Sequence, residues 1–332
     1  MTNLNKQPSA GSKVDLALRP GGWDEYIGQA NIKKNLNVIL GAAKKRSEPC
    51  DHLMFYGQAG LGKTTLAYLV AKEMGARLRI TSGPALDKAG DLAAILSSLE
   101  ENDLLFIDEA HRINKTIEEV LYPAMENRKL HIIIGKGPGA RAISLDLPPF
   151  TLVMATTKMS LISAPLRSRF GATFKLDYYD LGDIEEILKR SAHLLGVDID
   201  PEATNALARA SRFTPRVANR LLKRARDFAE VGGDRQITVG IAEGALEFLG
   251  IDELGLEPAD RQLLEAIIAK FNGGPVGVSA LAAALNEERG TIEDVYEPYL
   301  MSVGLISRTP AGRVAEAAAY EHLKMKKNGS LI

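Results

Sequence analysis

The sequence predicts an α/β fold: a doubly wound parallel sheet, then a small helical domain, then a C-terminal winged helix. Three observations predict it. Short apolar runs ending in Gly, Asp-Glu or Thr-Thr alternate with helix-like segments in the first half of the chain. Residues 180 to about 250 carry apolar side chains at helical spacing. From about 253, three helical segments precede two short β-rich runs around a turn.

The first strand is Leu53-Met54-Phe55-Tyr56. It runs into Gly57-Gln58-Ala59-Gly60-Leu61-Gly62-Lys63-Thr64, which fits the phosphate-loop pattern G-x-x-x-x-G-K-[ST]. The helix-like run Thr65-Leu66-Ala67-Tyr68-Leu69-Val70-Ala71 follows. Glycines let backbone N–H groups converge on phosphate oxygens, and the helix turns its positive end to the same anion. Gly60, Gly62, Lys63, Thr64 and Thr65 are therefore the candidate ATP contacts. The Lys63 ammonium can reach the outer phosphates, and the Thr64 hydroxyl can ligate Mg²⁺.

A second strand, Leu104-Leu105-Phe106-Ile107, ends in Asp108-Glu109. In a doubly wound sheet the carboxyl ends of the strands face the ligand crevice. Asp108 is thus expected to hold Mg²⁺ and Glu109 to act as general base toward water. A third strand, Thr151-Leu152-Val153-Met154-Ala155, ends in Thr156-Thr157. Thr156 is the candidate contact to the γ-phosphate, although a β-branched pair closing a strand reads the same way. Asp108-Glu109-Ala110-His111 also spells the DEAH helicase signature. Those enzymes need a second ATPase-like domain, and the remaining residues read as helices.

Ala164-Pro165-Leu166-Arg167-Ser168-Arg169-Phe170 offers two arginines, either of which could neutralise transition-state charge across a subunit boundary. Runs at 130–135 and 142–147 around Gly137-Pro138-Gly139 read as a hairpin. Arg212, Arg216, Arg220, Lys223, Arg224 and Arg226 form a basic cluster that a solvated helix face would explain. Helices are expected over 259–271, 279–286 and 291–303, with a wing at 304–315. A winged helix binds either DNA or protein. Lys324, Lys326 and Lys327 add a basic tail.

Composition sets the outer limits. A chain of 332 residues suits two or three domains. We expect an ATPase domain at 1–179 with a disordered tail at 1–15, a lid at 180–252 and a winged helix at 253–332. The net charge of -1 requires that nucleic acid be met by a local basic patch. One cysteine, Cys50, excludes an intrachain disulfide framework and a multi-cysteine zinc site. No apolar run approaches ~18 residues, so no membrane span is expected and the cytoplasm is the default compartment.

Phosphate loop, acidic strand, Thr-Thr strand end and Leu166-Arg167-Ser168-Arg169-Phe170, in this order, resemble the AAA+ ATPases. Finer strings resemble the RuvB family of Holliday junction branch-migration motors. They include Leu18-Arg19-Pro20, Tyr26-Ile27-Gly28-Gln29, Thr81-Ser82-Gly83-Pro84, Val120-Leu121-Tyr122-Pro123-Ala124-Met125-Glu126, Thr214-Pro215-Arg216, Gly273-Gly274-Pro275-Val276-Gly277 and Arg308-Thr309-Pro310. The likeness runs from about residue 16 to 320.

The resemblance implies further roles. Leu18, Arg19, Tyr26 and Ile27 would border the adenine, and Tyr179 would line the nucleotide. Arg169 would be the arginine finger, and Arg216 the sensor arginine of the lid. The hairpin at 130–147 would dock a RuvA-like junction-binding protein. Arg308 and Arg313 in the wing would contact DNA phosphates. The implied machine is an ATP- and Mg²⁺-dependent ring, a homo-oligomer of six copies, around double-stranded DNA at four-way junctions. Clamp or helicase loaders share the same core, and a nucleotide-gated DNA-binding protein without turnover is a further alternative. The chain departs from the family pattern at Gln58-Ala59, where two prolines are usual, at Ala110, at Lys158-Met159-Ser160, at Ser168, where an acid is expected, and at Ala311, where an arginine is usual.

Overall fold

The computed structural model describes residues 13–134 and 141–326. The chain divides into two compact units, Met1–Asp183 and Ile184–Ile332. Residues 1–12 of the expected tail lie outside the described residues, whereas 13–15 open a short helix, α1 (Lys13–Ala17).

The first unit continues with α2 (Ala30–Arg46), β1 (Leu53–Tyr56), α3 (Lys63–Met74), β2 (Leu78–Ser82), α4 (Ala89–Ser97), β3 (Leu104–Asp108) and α5 (Lys115–Asn127). A hairpin of β4 (Lys129–Ile134) and β5 (Arg141–Asp146) comes next, then β6 (Thr151–Thr156), α6 (Ala164–Arg167) and β7 (Ala172–Lys175). The five-stranded sheet has the order β2-β3-β6-β1-β7, and every pairing in it is parallel. Strand β6 separates β3 from β1, so the ends of three strands stand side by side.

Periodicity alone explains which strands the sequence reveals. Leu104, Leu105, Phe106 and Ile107 are all buried, as are all six residues of β6. Both faces are covered, so these strands read as unbroken apolar runs. The edge strand β2 is half-buried throughout and β7 only partly buried, and neither forms such a run. One core joins Leu92, Leu96, Ile117 and Leu121 of α4 and α5 to Leu105, Ile107, Leu152 and Met154 of the sheet. The Asn114 side chain caps α5 by accepting from the Ile117 N–H, satisfying a donor that the first helical turn leaves open. The β4–β5 hairpin pairs Leu130 with Leu145 and Ile132 with Ile143, and its expected turn, Gly137-Pro138-Gly139, lies outside the described residues.

Helix α7 (Leu181–Leu195) leads into the second unit. There β8 (Asp198–Ile199), α8 (Pro201–Arg209), α9 (Pro215–Gly232), β9 (Gln236–Ile237) and α10 (Val239–Phe248) precede α11 (Pro258–Glu265). A π-helical turn extends α11 through Lys270. Then come α12 (Val278–Leu285), α13 (Arg289–Thr291), which passes through a π-helical turn into α14 (Glu297–Ser302), and the wing, β10 (Ile306–Thr309) and β11 (Gly312–Ala315). The last helix is α15 (Ala317–His322). Leu263, Ile267, Leu281, Ile292, Leu300 and Ile306 share one core, and Phe213 from the α8–α9 turn packs against it. Residues 184–252 and 253–326 fall within the same compact unit.

Phe106 is fully buried on β3. Phe106→Ala is expected to cost about 3–5 kcal/mol of stability, read as a lowered midpoint of thermal unfolding by circular dichroism.

Candidate functional site

The path from β1 into α3 needs backbone that side chains resist. Gly57, Gly60 and Gly62 have φ of 145°, 85° and 99°. A Cβ on Gly57 would lie 2.5 Å from the Leu176 carbonyl oxygen. Lys63, 8% exposed, begins α3 and donates to the carbonyl oxygens of Gly57 (2.8 Å) and Gln58 (2.7 Å). The departure at Gln58 therefore meets Lys63 through a carbonyl oxygen, which any residue supplies.

Next to it, the Thr64 hydroxyl donates to Asp108 Oδ2 at 3.1 Å. Asp108 Oδ1 accepts from the Glu109 N–H at 2.8 Å. Both carboxylate oxygens are thereby aimed. Glu109 is exposed and left-handed, with φ 49°, and Arg112 lies 3.6 Å from its carboxylate. The Glu109 carbonyl oxygen would sit 2.4 Å from a Cβ on Gly83. The sequence singled out Gly83 only as part of a family string. Its signal is positional: β2 pairs with β3, Ser82 opposite Asp108, so the residue after β2 meets the residue after β3.

The chemistry of these groups fits a magnesium nucleotide. Glycine N–H groups, a buried ammonium and a helix N-terminus suit phosphates. Among the described residues, no three His, Cys, Asp or Glu side chains cluster to cage a metal. A cation held by Thr64 and Asp108 would take its remaining ligands from phosphates and water, which is how Mg²⁺ is commonly bound.

Thr156 is 1% exposed. Its Oγ1 accepts from the Lys158 N–H at 3.0 Å and lies 3.1 Å from His111 Nδ1. Thr156 is thus turned inward at the end of β6, facing the His111 ring at the end of β3. Thr157 is the exposed member of the pair. His111 joins the end of β3 to the end of β6.

Tyr26 and Tyr179 are buried, their hydroxyls 3.1 Å apart, and Tyr179 also donates to the Leu61 carbonyl oxygen. Burial pushes the Tyr179 hydroxyl up to about 12 and raises Tyr26 well above its ordinary value, so both hydroxyls stay neutral. A Cβ on Gly62 would lie 3.1 Å from the Tyr26 hydroxyl, which places the tyrosine pair against the phosphate loop. Leu18 is buried, Ile27 half-buried, and the Arg19 guanidinium lies 5.1 Å above the Tyr68 ring. Thr65 is half-buried in the first turn of α3.

Arg169 is held against α5. It pairs with Glu126 at 2.9 Å, lies 4.4 Å above the Tyr122 ring and donates to the Pro165 carbonyl oxygen. Tyr122 also bonds Ser163, which caps α6. Ser168 donates to the Pro165 carbonyl oxygen, so the acid expected there is not what holds Arg169. In the second unit Arg216 opens α9 directly after Pro215. Arg212 is not part of a solvated face: its side chain is only 14% exposed and pairs with Asp260.

The two wing arginines differ. Arg313 is 8% exposed and clamped by Glu297 (2.6 Å) and Glu293 (3.0 Å). Arg308 is half exposed and reaches the same two carboxylates at 2.9 and 3.3 Å. A phosphate could meet Arg313 only by opening its pair with Glu297. Of the basic tail, Lys324 and Lys326 are described and Lys327 lies outside the described residues. On the hairpin, Ile143 and Leu145 are each 41% exposed.

Comparison with known proteins covers nearly the whole chain. A model described as the Holliday junction DNA helicase RuvB P-loop domain matches residues 18–176. The RuvB AAA lid domain matches 179–252, and the RuvB C-terminal winged helix domain matches 253–324. Thermotoga maritima RuvB, described as a Holliday junction branch migration motor, is 48% identical over 93% of this chain and 99% of its own, with a TM-score of 0.86. A lysine-to-arginine variant of the same Thermotoga protein matches with the same identity, coverage and TM-score. An arginine-to-alanine variant is 48% identical over the same 93% and 99%, with a TM-score of 0.84.

Two expectations follow from these contacts. Gly83→Ala pushes on the Glu109 backbone and not on the phosphate loop. Nucleotide affinity should hold in a fluorescent-analogue titration while any ATPase rate falls roughly 10²-fold, the size expected when a group beside the reacting centre is displaced by about 1 Å. In the wing, Arg313→Ala leaves Glu297 buried and unpaired and should lower stability by about 3–5 kcal/mol. Arg308→Ala should keep the thermal midpoint but weaken duplex binding, reducing the slope of log affinity against log salt by roughly 1.

Proposed function

The chain belongs to the RuvB family of P-loop AAA+ ATPases, and on that premise we propose that it hydrolyses ATP to drive branch migration of Holliday junctions in recombination and repair. The observation that carries this reading is the convergence of Lys63 and Thr64, which follow β1, with Asp108, which ends β3, at one edge of a parallel sheet, in one chain with a winged helix. Residues 1–179 are assigned to the ATPase domain, 180–252 to the lid and 253–332 to the DNA-binding domain.

Each side chain has a task set by its surroundings. Lys63 leaves its loop carbonyls for the outer phosphates. Thr64 and Asp108 hold the cation, and Glu109, exposed beside them, takes the proton of the attacking water. Mg²⁺, which Thr64 and Asp108 would hold, would neutralise charge that develops on the phosphates. Leu18, Arg19, Tyr26, Ile27 and Tyr179 form the wall beside the phosphate loop where the base and ribose would rest. Arg216 reads the phosphates from the lid.

The working form is a ring, a hexamer around duplex DNA, with Arg169 of one copy completing the site of its neighbour. Its stacking on Tyr122 and its pairing with Glu126 set the direction in which it projects. Arg308, and Arg313 behind it, meet the DNA backbone without reading sequence, which suits movement along any duplex. Ile143 and Leu145 give the hairpin an apolar face for a RuvA-like partner. Among the described residues no helix is long and apolar enough to cross a membrane, and the cytoplasm is the compartment this reading assigns.

The test is a synthetic four-way junction with ATP and Mg²⁺: ATP-dependent conversion to duplex products is expected, and ATP turnover without conversion would point to a loader. Lys63→Ala and Arg169→Ala should each lower steady-state ATPase by roughly 10³-fold. Mixing the two inactive proteins should restore part of the rate, because an intact finger then faces an intact phosphate loop.

A further inference from the structure

The α8–α9 turn contains two consecutive non-glycine residues in the left-handed region, Arg212 (φ 53°) and Phe213 (φ 51°). Such residues persist only where their surroundings over-determine them. Here the surroundings belong to the winged helix. Phe213 packs on its core. Arg212 Nε donates to the Gly255 carbonyl oxygen at 2.8 Å, one terminal nitrogen donates to Asp260, and the guanidinium lies 5.2 Å from the centre of the Tyr299 ring. Asp260 is 1% exposed and also accepts from the Glu257 N–H at 2.8 Å. The Tyr299 hydroxyl donates to the Leu254 carbonyl oxygen, which fixes the ring under the arginine.

The approach is close on the main chain as well. A Cβ on Gly255, whose φ is +74°, would lie 2.5 Å from the Ala210 carbonyl oxygen. Along α9, Arg220 pairs with Glu257 at 2.7 Å. Fork hydrogen bonding, ring stacking and a buried carboxylate together leave the arginine one geometry. Four residues further on, in the first turn of the helix that this turn starts, stands Arg216.

We propose that Arg212 is a positioning residue that locks the lid and the winged helix into a single rigid body, so that a displacement of Arg216 is delivered undiminished to the wing. The coupling rests on the motor reading given above, whereas the rigidity stands apart from it. No hinge lies between the helix that carries Arg216 and the strands that carry Arg308. The conversion of nucleotide change into DNA movement therefore happens on the near side of α8, and the joint at 210–213 and 254–260 only transmits it.

The rigidity is read directly in the full chain with the joint unaltered. Spin labels are placed at Val231→Cys (Val231 is 91% exposed) and Val295→Cys (Val295 is 54% exposed), with buried Cys50 left in place. Their distance distribution is measured by pulsed electron resonance with a slowly hydrolysed ATP analogue and with ADP. One narrow distribution is expected, the same in both states to within the ~1–2 Å of a helix adjustment. A larger shift between the two states overturns the proposal.

Arg212→Ala should broaden that distribution and lower junctions migrated per ATP at least about fivefold, while ATPase without DNA is unchanged. Arg212→Lys keeps a charge for Asp260 without the planar fork and should recover part of the coupling. If Arg212→Ala leaves both the distribution and the coupling intact, the proposal also fails. A parent chain that migrates no junction but keeps one distance in both states would sink the motor reading and leave the rigid unit standing.

Discussion

The backbone between β1 and α3 must turn through conformations open only to glycine, and the rest of the nucleotide site is arranged around that turn. Gly57 lies against the Leu176 carbonyl and Gly62 against the Tyr26 hydroxyl. Any side chain at either point would push apart the edge of the sheet or the tyrosine pair. With the loop held from outside, Lys63 can begin a helix and still bring its ammonium back over the loop carbonyls. A buried charge that donates to carbonyls is poised for a stronger acceptor, since a phosphate offers full negative charge where the carbonyls offer dipoles.

The acidic end of β3 shows how main-chain geometry sets side-chain chemistry. Asp108 spends no freedom on solvent: one oxygen meets a hydroxyl and the other the next peptide N–H. The left-handed Glu109 then turns its side chain away from the strand direction, so two neighbouring carboxylates serve different tasks. Gly83 and the His111–Thr156 contact belong to the same construction, because each ties a strand end to the one beside it. A parallel sheet makes this possible by delivering residues far apart in sequence to one edge.

Four arginines of this protein, Arg169, Arg212, Arg308 and Arg313, are aimed by carboxylates. The near-neutral net charge is thus a local feature too: two glutamates offset the two wing arginines. Such pairing gives the arginines fixed directions. It also means that DNA must compete for Arg308 with Glu293 and Glu297, which favours a contact that is made and released.

The sequence by itself determined the phosphate loop, the acidic strand end, the buried central strands and the order of the three segments. Each of these is a local pattern: fixed spacing in 57–64, unbroken apolar runs at 104–107 and 152–155, helical period from 180 to about 250. The edge strands β2 and β7 left no such pattern, because half-buried strands need no apolar run. Only the tertiary structure decided which threonine faces inward, that Arg212 is mostly shielded and paired with Asp260 and not part of a solvated face, and that Arg313 is clamped while Arg308 is half open. Those outcomes depend on partners 45 to 48 residues away for Thr156 and Arg212, and 16 to 20 away for Arg313. Whether a charge is solvated or paired is settled by what folds against it, and periodicity along the chain carries no record of that.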